Sequence, residues 1–169
     1  MTDQTTTLSP IDYSAAQRMW NEYAAARPEA AALCTEHTVE RFGDSDALAD
    51  ALLLEVLHGT KRATSELADE FTARGDPLPR IGSHWVACDG SGRPRAVLRT
   101  TELRLAAFDA VDAAFARDEG EDDLSLESWR REHRKYWIRG CAARGRAWSE
   151  TDPIVLERFA VVWPPEIAD

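Results

Sequence analysis

The apolar residues of this chain change their spacing once, near the tract "GDPLPRIG" (residues 75–82), and that change limits the fold more than any other feature. Before it the spacing is helical. Ser9 can cap a helix with Pro10 at its first position, and Ile11, Ala15, Ala16, Met19, Trp20, Tyr23 and Ala24 form one apolar face that ends before Pro28. Residues 29–44 read as a short helix or a loop. Ser45 or Asp46 caps a second helix, buried through Leu48, Leu52, Leu53, Val56 and Leu57 and stopped at Gly59. A third helix is expected from Ser65 to Arg74, with Gly75 closing it. After the tract, residues 83–88 alternate as a strand does, and "DGSG" (Asp89 to Gly92) is a turn signal. One long bent strand or two follow over 95–105, then a short helix from Phe108 to Ala116 and an acidic loop from Asp118 to Asp123. Ser125 caps a helix running to Ala143, and a last strand, Ile154 to Trp163, is stopped by Pro164-Pro165. Helices, then strands, then a helix and a strand argue for an α+β fold with one small mixed sheet or barrel rather than a doubly wound sheet.

A length of 169 residues suits one domain, and 44 % apolar content with six tryptophans is enough for a core. The first ten residues are polar and carry no positive charge before an apolar run, so no signal peptide is expected. The longest apolar window, "ALADALLLEVL", is too short for a bilayer. Cys34, Cys88 and Cys141 show no metal or redox spacing, which predicts a reduced, cytoplasmic protein without membrane association. The net charge of −10 argues against sequence-independent DNA binding over the whole surface. The charge is uneven, however. Residues 130–146 hold seven basic residues against Glu132 alone, directly after the acidic "RDEGEDDLSLE".

Three constellations could carry chemistry. The only lysines among 20 basic residues are Lys61 and Lys135. Lysine, unlike arginine, can give up its proton when desolvated, so Lys61 within Gly59-x-Lys61-x-x-Thr64 is a candidate base or oxyanion stabiliser. The bland alternative is a solvated lysine followed by a helix-capping threonine. The carboxylates from Asp118 to Asp123 repel one another and need a lysine, a divalent cation or the basic helix downstream to offset them. Their spacing does not fit an EF-hand, and Asp122 and Asp123 lie where negative charge suits the next helix start. Within that helix Leu126, Trp129, His133, Tyr136, Trp137 and Cys141 form a stripe, with His133 read as a satisfied, half-buried histidine. Arg130, Arg131, Arg134 and Lys135 face the other way, as a solvated basic face or as an RNA-binding one. No phosphate-binding loop, nucleophile elbow, zinc-protease or dinucleotide motif is present.

Taken in order, "LLLEVLHGTKRATSEL", "DPLPRIGSHWVACDGSGRPRAVLRTTEL", "FARDEGEDDLSLESWRREH" and "ERFAVVW" resemble the ASCH domain family. The resemblance spans roughly residues 44–163 and implies a PUA-like small β-barrel with flanking helices. It divides the chain into an N-terminal helical extension (1–43) and an ASCH domain (44–169). Members of the family are associated with RNA or nucleotide binding. A short bacterial branch hydrolyses the acetyl amide of N4-acetylcytidine with a lysine, a threonine and a glutamate, and other members are described as ribonucleases. Carried over by position, these residues fall on Lys61, Thr64 and Glu119. The short enzymes often place an arginine two residues past the threonine, where this chain has Glu66.

Three readings stay open on the sequence. One is a hydrolase acting on a modified nucleoside or RNA through Lys61, Thr64 and Glu119. Another is a non-catalytic RNA module using the basic helix. The third is a nucleotide sensor whose N-terminal helix packs on a partner or on a second copy as a homodimer. No metal ligand set and no cofactor are expected, although a divalent metal is an option.

Overall fold

The computed structural model describes residues 8–169; residues 1–7, part of the expected N-terminal extension, lie outside the described residues. The elements in order are α1 (Tyr13–Ala26), α2 (Pro28–Leu33), β1 (His37–Arg41), α3 (Asp46–Leu57), β2 (Ala63–Leu67), α4 (Ala68–Arg74), β3 (His84–Cys88) and β4 (Pro94–Ala106). After a 3-10 turn at Phe108–Ala110 come α5 (Ala113–Glu119), α6 (Leu126–Ala143) and β5 (Ile154–Trp163). The five strands form one mixed sheet in the order β1-β3-β4-β5-β2. The protein is therefore α+β, as the order of sequence patterns predicts.

Two compact units divide the chain, one from residues up to 59, 82–100 and 160–169, the other from 60–81 and 101–159. In the first, β1 runs parallel to β3, His37 opposite His84 through Arg41 opposite Cys88. β3 pairs antiparallel with β4 through the Asp89–Gly92 turn, where Gly92 takes a positive φ of 81°. Ala16, Trp20, Tyr23, Ala31, Val86 and Val97 make the core of this unit. All five residues of β3 are buried, so its alternation does not separate a wet face from a dry one.

Helix α1 starts three residues later than the Ser9 cap predicts. Asp12 is the cap and accepts the Ala15 N–H at 2.8 Å. Ser9 is engaged elsewhere, its N–H 3.1 Å from Asp46 Oδ1. α3 begins as expected, with Ser45 accepting the Leu48 N–H at 3.2 Å.

In the second unit β2 pairs antiparallel with β5, Ala63 opposite Arg158 through Leu67 opposite Ile154. This corrects the expected helix over Ser65–Arg74, whose first three residues are strand. The helical part is α4, closed by Gly75 in the left-handed conformation. The short helix expected over Phe108–Ala116 is likewise displaced, because Asp112 caps α5 by accepting the Phe115 N–H at 2.8 Å. α6 follows the sequence reading, with Ser125 accepting the Ser128 N–H at 3.0 Å. Its stripe packs Trp129, Trp137 and Cys141 on Phe108, Phe115, Ile154 and Leu156.

None of the described helices is long and apolar enough to cross a membrane. All three cysteines are free thiols, with Cys88 and Cys141 buried.

Candidate active site around Lys61

The second unit holds a buried charged cluster on three of its segments. Residues 60–62 lead into β2 and lie against the C-terminal end of α5. A helix end leaves its last carbonyls without intrahelical partners. Here two are taken by this segment. The Arg62 N–H donates to the Asp118 carbonyl at 2.7 Å, and Lys61 Nζ donates to the Glu119 carbonyl at 3.2 Å. A cation at a helix C-terminus also suits the helix dipole. Gly120 then turns the chain with φ 70°. A Cβ there would stand 2.6 Å from Lys61 N and 2.7 Å from Lys61 Cα, so the approach of the two backbones requires glycine.

Lys61 is fully buried. Its ammonium is 2.6 Å from Glu121 Oε1 and 4.0 Å from Glu119 Oε1. Glu119 is 1 % exposed, the last residue of α5, with Phe115 and Ala116 buried beside it on one helix face. Its carboxylate gathers donors. Ser65 Oγ lies 3.0 Å from Oε1 and 3.2 Å from Oε2. Trp129 Nε1 donates to Oε2. His133 Nε2 lies 3.2 Å from Oε1. Burial would push the Glu119 carboxyl up, but the charge and hydrogen bond of His133, the Lys61 ammonium and the Trp129 N–H together hold it well below the usual carboxylate range. Burial would push His133 down, and the Glu119 carboxylate overrides it and raises the imidazole.

Of the residues singled out in the sequence, Lys61 and Glu119 meet here, although 58 residues separate them. Thr64 leaves by another side. Successive side chains of a strand alternate, and the extended segment from 61 onward, where the Phe159 N–H donates to the Arg62 carbonyl, carries Lys61, Ala63, Ser65 and Leu67 on one face. Thr64 stands opposite Glu157 in the ladder and shares that residue's face. The hydroxyl that reaches Glu119 is that of Ser65. Glu66, which replaces the arginine of the short enzymes, accepts the Leu67 N–H at 2.8 Å and the Trp137 Nε1–H at 3.2 Å.

The acidic stretch is offset by two of the three means its sequence allows. Lys61 takes Glu121, and the basic helix takes Asp122 through Arg131 at 3.0 Å. Asp123 accepts the Ser125 N–H at 2.8 Å, next to the start of α6. Among the described residues no group of three His, Cys, Asp or Glu side chains is placed to hold a metal ion.

Besides Ser65, two charged members of the cluster were not read from the sequence as site residues. Glu121 lay among six acidic and glycine positions with nothing to distinguish it. His133 carried a signal in its spacing: Trp129, His133, Trp137 and Cys141 recur every fourth residue, so the imidazole belongs to the buried stripe. It stacks on Trp129 with ring centroids 4.2 Å apart and planes at 16°, and meets the edge of Trp137 at 5.1 Å.

The other face of α6 carries Arg130, Arg131, Arg134 and Lys135, which with Leu126 and Glu127 line an open depression of about 690 Å³. These cations are engaged within the chain. Arg131 pairs with Asp122 and Glu132, Arg134 with Glu150 at 2.5 Å, and Lys135 with Glu132 at 3.1 Å. Arg130 donates to the Asp109 carbonyl at 3.2 Å.

Comparison with known proteins agrees with the fold and the residue pattern. The ASCH domain model matches residues 38–163. The crystal structure of an ASCH domain from Lactobacillus crispatus JV V101 superposes with a TM-score of 0.82 at 25% identity, covering 97% of this chain and 100% of that one. The crystal structure of a protein from Enterococcus faecalis V583 gives a TM-score of 0.77 at 23% identity over 88% of each chain. A search of curated proteins finds no match. The PUA-like α+β architecture expected from the resemblance is consistent with these structures, and the match over residues 38–163 shows that the chain belongs to the ASCH domain family.

Proposed function

We propose that the protein binds RNA or a nucleoside at the Lys61 cluster and hydrolyses an acyl amide on a modified base, with N4-acetylcytidine as the substrate class. The observation that carries this reading is a fully buried lysine joined at 2.6 Å to Glu121, a carboxylate that keeps about a quarter of its side chain in contact with solvent. Nζ passes a proton to Glu121. The neutral amine then takes a proton from a water, and the hydroxide adds to the acyl carbon. The C–N bond breaks, and the departing ring amine takes the proton from Nζ, leaving a free amine and a carboxylic acid. Glu119 holds Lys61 from behind. Ser65 supplies the cluster's hydroxyl, the part expected of Thr64 by resemblance. Glu121 is the group that an incoming substrate displaces, and it sits between Gly120 at φ 70° and Asp122 at φ 51°.

The test is incubation with N4-acetylcytidine, free and within RNA, with and without a divalent metal. Turnover is expected, and Lys61→Arg is expected to abolish it with the circular dichroism unchanged, because arginine keeps the charge but not the exchangeable proton. Full turnover by that variant refutes the role of Lys61. A second reading is favoured by the depression on α6: a non-catalytic RNA module whose cations contact phosphate. It predicts no turnover and a steeply salt-dependent affinity that Arg130→Gln, Arg131→Gln and Arg134→Gln together flatten. Binding of a free nucleotide without turnover and without salt dependence would instead mark a sensor.

A further inference from the structure

His133 has two ring nitrogens, and each faces an acceptor. Nδ1 is 2.9 Å from the backbone carbonyl of Trp129, which has no hydrogen to give. Nε2 is 3.2 Å from Glu119 Oε1. A neutral imidazole carries one N–H and can satisfy one of these contacts as a donor. The other contact then needs a proton from its partner, and the carbonyl has none. Two arrangements remain. Either His133 is an imidazolium facing a carboxylate, or it is the Nδ1–H tautomer accepting a proton from a carboxylic acid at Glu119.

The other partners of Glu119 decide between them. Ser65 Oγ–H and Trp129 Nε1–H both point at its oxygens, and the Lys61 ammonium stands 4.0 Å away. Two donors and a cation on one buried carboxyl group favour its ionised form. Lys61 and His133 are then positive, Glu119 and Glu121 negative, and the set closes at zero, with Glu121 at its solvent edge.

Every charged group facing the imidazole enters this balance. They are Glu119 from α5, Glu121 from the acidic loop and Lys61 from the segment before β2; the cations of α6 itself, Arg130, Arg131, Arg134 and Lys135, line its other face. Glu66 of β2 is held one turn further along α6, on Trp137.

We infer that His133 is a positioning residue of the Lys61 site: an imidazolium clamped between the Trp129 carbonyl and the Glu119 carboxylate, which keeps Glu119 ionised and turned toward Lys61 and Ser65. The inference rests on the hydrolase reading for its role and on geometry alone for its charge state. His133 does not touch a substrate in this arrangement; it acts through Glu119.

Nuclear magnetic resonance of the wild-type protein tests the charge state without any activity. The chain has four histidines, His37, His58, His84 and His133. After sequential assignment, both ring nitrogens of His133 are expected to show imidazolium shifts at pH 7.5, with deprotonation only at higher pH. A neutral His133 at pH 7.5 overturns the inference. Glu119→Gln removes the negative partner and is expected to bring the His133 titration down by at least one pH unit, while an unmoved titration also overturns it. In the acetylcytidine assay His133→Asn is expected to lower kcat at least tenfold with KM within twofold, and full kcat would overturn the positioning role. If the wild type turns over no acylated nucleoside, the hydrolase reading fails, and the ring shifts still decide whether His133 is the clamped cation.

Discussion

Gly120→Ala isolates the contact that brings the Lys61 segment to the end of α5, and Gly75→Ala is its matched control. Both glycines follow a seven-residue helix as left-handed caps, Gly120 at φ 70°, ψ 24° and Gly75 at φ 75°, ψ 18°. A side chain in that conformation costs about 1–2 kcal/mol at either position. The surroundings differ. A Cβ on Gly75 meets nothing within 4 Å. A Cβ on Gly120 meets Lys61 N at 2.6 Å, Lys61 Cα at 2.7 Å and the Thr60 carbonyl carbon at 3.0 Å, all backbone atoms that no rotamer change can move. Forcing a methyl into such a contact adds about 1–3 kcal/mol. Gly75→Ala is therefore expected to cost about 1–2 kcal/mol and Gly120→Ala about 2–5 kcal/mol. Urea unfolding of both variants beside the wild type measures the difference as a shift in midpoint at constant slope. Part of the strain is relieved by pulling Lys61 from its carboxylates, so Gly120→Ala is also expected to lose any Lys61-dependent turnover, while Gly75→Ala keeps it. Equal destabilisation by the two substitutions, within about 0.5 kcal/mol, would show that the 60–62 segment is not braced on Gly120 and would remove the structural basis for the cluster.

Three further outcomes follow from buried charge. Lys61→Met leaves Glu119 and Glu121 without their shared cation, and urea unfolding is expected to show a loss of about 3–5 kcal/mol, far more than an exposed lysine would cost. Burial pushes Glu66 up to about 7, with the Leu67 N–H opposing, Glu70 adding to the rise, and Arg74 and Trp137 opposing. The folded state then keeps a proton that the unfolded chain releases near 4.5, so stability is full below about pH 4.5 and declines as pH rises through 7. Glu66→Gln keeps an oxygen for the Leu67 and Trp137 donors and is expected to remove that decline, gaining about 2–3 kcal/mol at pH 8 relative to the wild type. His84 runs the opposite way. Burial first, and then the Arg99 charge, lower it to about 4, with the nearby Cys34 backbone carbonyl working weakly the other way, and Tyr23 Oη lies 3.0 Å from its Nε2. The folded state resists a proton that the unfolded chain takes up near 6.5, so stability is full above that pH and falls toward pH 4. Carbon shifts of the His84 ring should report a neutral imidazole at pH 5.5; a charged ring there refutes the account.

Elements with a stop, a start and a period of their own were legible. α6 has Ser125 at its start and a four-residue recurrence of large side chains, and β5 has two apolar runs, 154–156 and 159–163, ended by Pro164. The hairpin of β3 and β4 has a glycine turn. β1 and β2 have none of these. Each is five residues long, and "HTVER" and "ATSEL" satisfy no period over so short a span. β2 is a strand because β5, some ninety residues later, supplies its hydrogen-bond partners, and that pairing overrides the helix-capping look of Thr64 and Ser65.

The consequence reaches the chemistry. Read as a helix start, Thr64 is a cap three residues from Lys61 and shares its pocket. Read as strand, the parity changes, Lys61 and Ser65 share a face, and Thr64 turns away beside Glu157. Lys61 could be singled out because lysine is rare in this chain, and Glu119 because the family resemblance carried it. Ser65 could not, because the residue type was right one position too early under the wrong period. His133 lay on the correct helix face but looked complete by itself, and its partner was Glu119, fourteen residues earlier on another helix. Residue chemistry was visible at single positions. Which positions cooperate was settled by two things no local window contains: the ladder between β2 and β5, and the packing of the end of α5 on the segment that leads into it.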